Sequence, residues 1–344
     1  MVQRMTQRSL LTIAIPTFNR ALKLKRLLNI LMDEISVYHL ESCVQVLVSD
    51  NASADQTPAV VSEFLRTGFG LNYHRQSQNL GFDGNLRFLY THSESQYIWF
   101  MADDDFPLPG AINRLVVALR EYDPDVLLSS FVQPPGSTER QFDFPEPVHL
   151  VSDPVCVIKH VLNCGKLSAY VICKVDLDAS KWRELDENLG AGWYFMPLAF
   201  SVLEASPSLR LVIVSEPLAT CDEDYMRLPW VPLACLSMHK SCQHSFVLKH
   251  CPSLVERYLD EGYYQAIHFA FAAKTGLLLP EHPEEYDEFI RELKCRVPTL
   301  LKSPRVLVKF IALKLRIAGL FAGLWPRAKT AISWATTFIG PRRD

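Results

Sequence analysis

Between residues 10 and 131, apolar runs of strand length alternate with segments of helical period, and several of the runs end in a polar cluster. A short apolar run bounded by turn residues reads as a buried strand. Such runs cover residues 10–15, stopping at Pro16, then 44–49, 71–75, 96–101 and 125–131. Between the first two, Leu24, Leu27, Leu28, Leu31 and Ile35 recur at three- and four-residue spacing. That spacing gives one apolar helical face, with Asn19 as a candidate N-cap. Thr57 followed by Pro58 opens a second helix, with Thr57 as its cap, and Pro109-Gly110 opens another that runs to about Glu121. Strands alternating with helices imply an α/β fold with a mostly parallel sheet and right-handed crossovers. Ligands of such sheets lie at the carboxyl ends of the strands. Thr17 and Asn19 follow the first run, Asp50 and Asn51 the second, and Asp103, Asp104 and Asp105 the fourth. Three polar clusters therefore converge on one edge.

A chain of 344 residues has room for one large α/β domain with an appendage, or for two domains. Its 49% hydrophobic content excludes a disordered chain. A net charge of −3 argues against nucleic acid as a partner of the whole molecule. Nine cysteines, an odd number without framework spacing, fit a reducing compartment. The run at 10–15 is too short for a signal-sequence core and precedes no small-residue cleavage site. No segment offers about 20 uncharged apolar residues, so no ordinary transmembrane helix is expected. The proline-rich stretch 133–147 reads as a loop or flap outside the core. Residues 151–215 return to mixed signals, and 230–295 are mainly helical in pattern.

Three adjacent carboxylates at the end of an apolar strand repel one another, and a cation offsets that repulsion. Mg²⁺ or Mn²⁺ suits carboxylate oxygen and bridges to phosphates. The plainer reading is a solvated acidic turn before the helix that starts near 110. The apolar run YIWFM favours the metal reading, because it fixes the cluster on a rigid element. Asp50, just after the second strand, is suited to accept from a base N–H or a ribose hydroxyl. Capping is the alternative, which Ser53, Asp55 and Thr57 also serve. The turn 79–85, NLGFDGN, lets backbone approach a ligand or is simply a turn. The Cys235, His239, Cys242, His244, His250, Cys251 group matches no standard zinc spacing and reads as helix positions.

Together, LLTIAIPTFNR (10–20), VLVSDNASADQT (46–57), NLGFDGN (79–85) and WFMADDDFPLPGAI (99–112) resemble the family 2 glycosyltransferases of GT-A fold, in family order. The resemblance covers residues 9 to about 130. It implies a nucleotide-diphospho-sugar donor, with a nucleotide pocket at Pro16, Thr17, Asn19, Asp50 and Asn51, flanked by Gly81 and Asn85. It implies a D-x-D metal motif at Asp103 and Asp105, with Asp104 beside the donor. Many members read Asp-x-Asp-Asp, which places the first acid at Ala102 and leaves open which aspartates touch metal. The Asp-Asp-Asp form looks most like the branch that transfers deoxysugars in bacterial surface polysaccharide synthesis, such as abequosyltransferases. Family members invert configuration with one carboxylate base and no covalent intermediate. The base candidates are Asp186 and Glu187, or Asp222 and Asp224, each also readable as a surface acid. Where many members carry that acid, this chain has Gly192. Trp193 and Tyr194 suit stacking on a sugar or a place in the core.

The expected domains are a GT-A domain over 9–220, a helical region over 221–300 and a basic tail over 301–344. That tail holds nine Lys or Arg and one acid, Asp344. Lys302, Arg305, Lys309 and Arg316 share a helical face beside apolar residues such as Phe310 and Leu320, which suits an anionic membrane surface. A cytoplasmic enzyme, peripheral on the inner face of the cell membrane and using a glycan or lipid-linked acceptor, is the resulting expectation. The alternatives are a sugar nucleotidyltransferase, whose glycine-rich phosphate loop PTFNRALKLKR lacks, and an inactive sugar-nucleotide-binding scaffold.

Overall fold

A computed structural model of the chain describes residues 9–133, 136–138, 140–222 and 241–253. These all belong to one compact unit, Met1–Tyr258. Most of the expected helical region 221–300 and the whole tail 301–344 lie outside the described residues.

The first strand, β1 (Leu11–Thr17), is buried at every position. It pairs in parallel with β2 (Val44–Asp50) over its full length and with β4 (Tyr97–Phe100) as far as Ala14. The expected stop at Pro16 does not occur. Pro16 lies past the last β4 partner, where one flank of the strand carries no ladder and a missing N–H costs little. β3 (Leu71–Arg75) adds outside β2 in the same direction. The connecting helices are α1 (Ala21–Val37), α2 (Thr57–Arg66) and α3 (Gly81–His92).

The sheet continues with a three-residue strand, β5 (Asp105–Pro107), then α4 (Ala111–Tyr122), β6 (Val126–Val132) and β7 (Val148–Val151). α5 (Pro154–Asn163), β8 (Tyr170–Cys173), α6 (Ala179–Asp186), α7 (Phe195–Ala205) and β9 (Leu211–Cys221) follow. The strand order is β3-β2-β1-β4-β8-β6-β9-β5, with β7 also on β9. The parallel expectation holds for β3-β2-β1-β4. Beyond it the sheet is mixed: β8 runs antiparallel to both β4 and β6, while β6 and β9 are parallel.

Residue alternation along the strands feeds two cores, one on each face. Ile13, Trp99, Leu127 and Val212 pack with α1, α2 and α4 residues such as Leu28, Val61 and Leu115. Ala14, Ile98, Leu128 and Ile213 pack with Leu89, Val161 and Leu198 of α3, α5 and α7. Both faces are covered, which is why the strands read as continuous apolar runs. The segment after Val132 is not wholly outside the core. Phe142 is buried, and its N–H and C=O both meet the Ser130 hydroxyl.

From β1 the chain steps outward through β2 to β3 and then crosses back to place β4 on β1's other side. That reversal makes a switch point at the carboxyl ends of β1 and β4, where doubly wound sheets open a crevice for ligands. Thr17 ends one strand there and the aspartates follow the other.

Candidate active site

The corners after β1 and β2 are fastened to each other. Asn19 adopts a left-handed φ of 53°, which asparagine tolerates. Its N–H donates to the Ser53 hydroxyl at 2.9 Å, and its Oδ1 accepts from Ala54 N–H at 2.8 Å. Asn19 therefore does not cap α1. The Ala21 N–H donates instead to Asp55 Oδ2 at 3.0 Å, across the corner. Asp55 Oδ1 accepts from both the N–H and the hydroxyl of Thr57, at 3.0 and 2.6 Å. Thr57 is the first residue of α2 rather than its cap. One carboxylate thus serves two helix N-termini.

Asp50 was expected to be left for ligand, and its geometry points the other way. The side chain is 0% exposed. Oδ1 accepts from Ser53 N–H and Oδ2 from the Tyr73 hydroxyl, each at 2.8 Å. Burial and the Asp50 carboxylate together raise the Tyr73 phenol above its ordinary value. Asp50 shapes the turn that follows β2. Asn51 reaches sideways, donating to Asn79 Oδ1 at 2.8 Å and to the Gly81 carbonyl at 3.1 Å, and accepting from Leu80 N–H at 2.8 Å. Asn85 holds Ser49 from α3 through its carbonyl and hydroxyl, at 2.9 and 2.5 Å. Asn51, Gly81 and Asn85 therefore fix the turn before α3 onto β2, and Pro16 is buried within β1.

The three aspartates do not act as one cluster. Asp103 accepts from the Thr17 hydroxyl at 2.7 Å and from Arg20 Nη1 at 2.9 Å. Asp104 takes the same Arg20 nitrogen at 2.6 Å. Asp105 opens β5, opposite Cys221 of β9, and accepts from the Ser168 hydroxyl at 2.6 Å. Burial drives the Asp103 carboxyl up to about 6, with Arg20 opposing and the Asp104 charge adding. Burial, then Asp104, drives Asp105 up to about 7. Burial disfavours the Arg20 charge, yet Asp103 and Asp104 outweigh it and raise its pKa. Two buried carboxyls thus stand above their ordinary range, while Arg20 is paired to Asp103 and Asp104.

Among the described residues, no group of three or more His, Cys, Asp or Glu is arranged as a metal cage. Mg²⁺ and Mn²⁺ do not need one, since one or two carboxylates plus substrate phosphates suffice. The chemistry fits, but the pairing differs from the D-x-D expectation. Asp103 and Asp104 converge on one point, marked by Arg20 Nη1, while Asp105 is turned to Ser168.

The base candidates separate. The Asp222 N–H donates to the Asp104 carbonyl at 2.9 Å, so this acid stands beside the aspartates, with Arg26 Nη1 3.1 Å and Lys23 Nζ 3.9 Å from its carboxylate. Asp186 ends α6, 43% exposed, ion-paired to Arg87 at 2.7 Å. Glu187 follows it, exposed. Asp224 lies outside the described residues. Trp193 and Tyr194 are both buried in the core.

Sequence reasoning missed Arg20, Ser168 and Asp83. Arg20 and Asp83 lay inside motifs already singled out, whereas nothing local marks Ser168. Asp83, buried in the first turn of α3, accepts from Gly192 N–H at 2.8 Å and Tyr194 N–H at 3.3 Å. It ties down the turn that leads into α7 from the other half of the fold, and burial raises its carboxyl above the usual range.

The arrangement is the GT-A fold. Residues 12–147 match the family model described as Glycosyl transferase family 2. The chain is 32% identical over 97 residues to abequosyltransferase RfbV of Salmonella typhimurium, covering 28% of each chain. It is 24% identical over 133 residues to GalNAc(5)-diNAcBac-PP-undecaprenol beta-1,3-glucosyltransferase of Campylobacter jejuni, covering 38% of this chain and 41% of that one. The match thus spans less than half of either relative's length. S. aureus TarS 1–349 in complex with UDP-GlcNAc superposes with a TM-score of 0.56 at 17% identity, covering 90% of this chain and 92% of that one.

Proposed function

We propose that the protein is an inverting, metal-dependent glycosyltransferase that moves a sugar from a nucleotide-diphospho-sugar to a glycan or lipid-linked acceptor of a bacterial surface polysaccharide. The observation that carries this reading is the convergence of the Asp103 and Asp104 carboxylates on one point at the switch point, within the segment that matches the family 2 model. The fastened corners at Asn19, Asp50 and Asn51 would form the floor of the nucleoside pocket. Asp103 and Asp104 would hold Mn²⁺ or Mg²⁺, which when bound neutralises the diphosphate leaving group. Asp222, whose N–H donates to the Asp104 carbonyl, adjoins the aspartates, and we assign it to take the acceptor's proton as the hydroxyl attacks. The relatives' names support the acceptor class, one an abequosyltransferase and the other acting on an undecaprenol-linked glycan.

Calorimetry with UDP and with GDP tests the donor reading. Binding is expected with Mn²⁺ and is expected to vanish in EDTA. Equal affinity in both conditions removes the metal role. An inactive scaffold would bind the nucleotide and leave every nucleotide-sugar uncleaved.

Among the described residues, no helix is long and apolar enough to cross a membrane. For residues 301–344 we propose attachment to an anionic membrane surface on the cytoplasmic side, supported by the charge and apolar pattern of the sequence. Each basic residue near anionic lipid gains about 1 kcal/mol. Co-sedimentation with vesicles of anionic lipid should fail when Lys302, Arg305, Lys309 and Arg316 are replaced by Glu in the full chain. Unchanged sedimentation would refute the attachment.

A further inference from the structure

The guanidinium of Arg20 stands where the aspartates would hold a cation. It reaches Asp103 and Asp104 through a single nitrogen, Nη1, at 2.9 and 2.6 Å. No hydrogen bond engages its Nε or Nη2 among the described residues, and the side chain is 38% exposed. Arg20 is the N-cap residue of α1, directly behind the crevice between β1 and β4. The rest of that helix face is committed, since Lys23 and Arg26 both meet Asp222. Arg20 therefore grips two carboxylates with one corner of its fork and leaves the other corner open at the mouth of the site.

Resting on the donor and metal reading above, we infer that Arg20 is an exchangeable clasp: it holds the cation seat between Asp103 and Asp104 and passes to the donor diphosphate when a divalent ion arrives. The physical argument is one of charge. A guanidinium nitrogen within 3 Å of both carboxylates cannot stay there beside a divalent cation, because like charges at contact distance repel strongly in a partly buried site. The diphosphate of the donor brings oxygens to the same point, and a planar fork with two open nitrogens matches them. Metal alone must displace the clasp and give it nothing to hold. Metal with nucleotide gives it a new partner. The site thus binds the two ligands cooperatively, and the coupling runs through one side chain. Arg20 acts here as a positioning and binding residue, with no part in bond making.

The test uses the full-length chain, with Mn²⁺ binding read by paramagnetic resonance and nucleotide binding by calorimetry. Arg20→Gln is expected to bind Mn²⁺ alone about tenfold tighter or more than wild type, because a competing cation is gone. The same variant is expected to bind UDP, at saturating Mn²⁺, about tenfold weaker or more, because a charge-assisted bond is lost. A purely structural role would weaken both. Arg20→Lys keeps the charge without the fork and should fall between the two on both readouts. It also preserves the test if Arg20→Gln melts early in EDTA. Mn²⁺ binding that is unchanged or weaker in both variants overturns the clasp, as does an unchanged UDP affinity. A wild-type chain that binds neither UDP nor GDP with Mn²⁺ refutes the donor reading, while the comparison in Mn²⁺ alone still decides whether Arg20 competes for the seat.

Discussion

Two clusters of titratable groups lie in this fold, and they differ in how their charge is settled. At the sheet edge, Asp103 and Asp104 meet Arg20 while Asp105 accepts from Ser168, and the Asp103 and Asp105 carboxyls are driven up. On the far side, Lys181 sits between Glu204 and Glu184, and Glu184 also accepts from the Ser245 N–H and hydroxyl. Beside it, Ser201, His244 and Glu184 have the composition of a nucleophilic triad but not its wiring. The Ser201 hydroxyl and the Glu184 carboxylate both face His244 Nε2, at 2.9 and 3.7 Å. Nδ1 accepts from the Phe246 N–H, so the proton resides on Nε2 and the ring is a neutral cap for the helix Ser245–His250. In the far cluster burial opposes the Glu184 charge, yet Ser245, His244 and Lys181 hold its carboxyl below the ordinary value, whereas at the edge burial wins and Asp103 and Asp105 rise. Uncompensated charge is the better marker of a ligand site than the mere gathering of ionisable groups.

The largest test of that contrast is at the edge. Asp104→Asn and Asp103→Asn should each lower turnover by about two to three orders of magnitude, the scale of removing one preorganised electrostatic group. Asp222→Asn should do likewise while leaving UDP affinity in Mn²⁺ near wild type. Glu204→Gln, in the far cluster, should leave both readouts in place. Turnover that survives at the edge and fails on the far side would invert the comparison.

Asp83 stands between the two cases. It has no cation, but backbone N–H groups meet it across the fold. Asp83→Asn turns an amide NH₂ toward those donors or leaves one unpaired in the interior. The expected loss is about 1–3 kcal/mol, read as a lower denaturant midpoint. Nucleotide binding in Mn²⁺ should persist, because the residue fastens α7 rather than the donor pocket. An unchanged midpoint would mean that the α7 start is held by other contacts.

The far cluster also has a pH signature. Burial pushes His244 down to about 4, with Glu184 opposing. An unfolded histidine titrates near 6.5. Between those values the unfolded chain takes up the proton and the folded one does not, so stability is complete above about 6.5 and falls as pH drops toward 4. Asp103 and Asp105 act in the opposite direction, since their raised carboxyls favour the folded state as pH falls. The clean measurement is therefore a difference. The stability gap between wild type and His244→Gln should narrow from pH 7.5 to pH 5, as seen by melting curves. A gap that stays constant would show that the ring is protonated in the fold.

The strands were legible because their apolar runs are continuous, and both faces of the sheet prove to be covered. The caps were not. α5 and α6 carry their own, Asp153 and Asp178, in the expected place. α1 borrows Asp55, and α4 borrows Glu34 through Ile112 N–H at 2.7 Å. A borrowed cap leaves no mark beside the helix it serves, so Asn19 and Thr57 looked like caps by proximity. The same borrowing explains Asp50. Its motif marked the corner after β2, while one of its carboxylate oxygens is taken by Tyr73, a residue 23 positions away. Ser168 reaches Asp105 from an even greater distance in sequence, 63 positions.

The smallest expected effect concerns Asp186, one of the four acids that the sequence offered as a base. Its carboxylate pairs with Arg87, whose own guanidinium lies over the Trp182 ring at 5.3 Å. Both partners are about two-fifths exposed, at 39% and 43%, so solvent screens the pair. Such pairs contribute about 0–1 kcal/mol, and Arg87 keeps its aromatic contact when the carboxylate is gone. Asp186→Asn should therefore shift the melting temperature by no more than about 4 °C and leave turnover close to wild type. The comparison with Asp222 makes the result informative, because both acids are cation-paired and only one adjoins the aspartates. A collapse of turnover in Asp186→Asn, with folding and UDP binding intact, would transfer the base to the end of α6. It would also show that the catalytic acid sits beside the Asp83-bound start of α7, close in sequence to Gly192, where the family resemblance had looked for it.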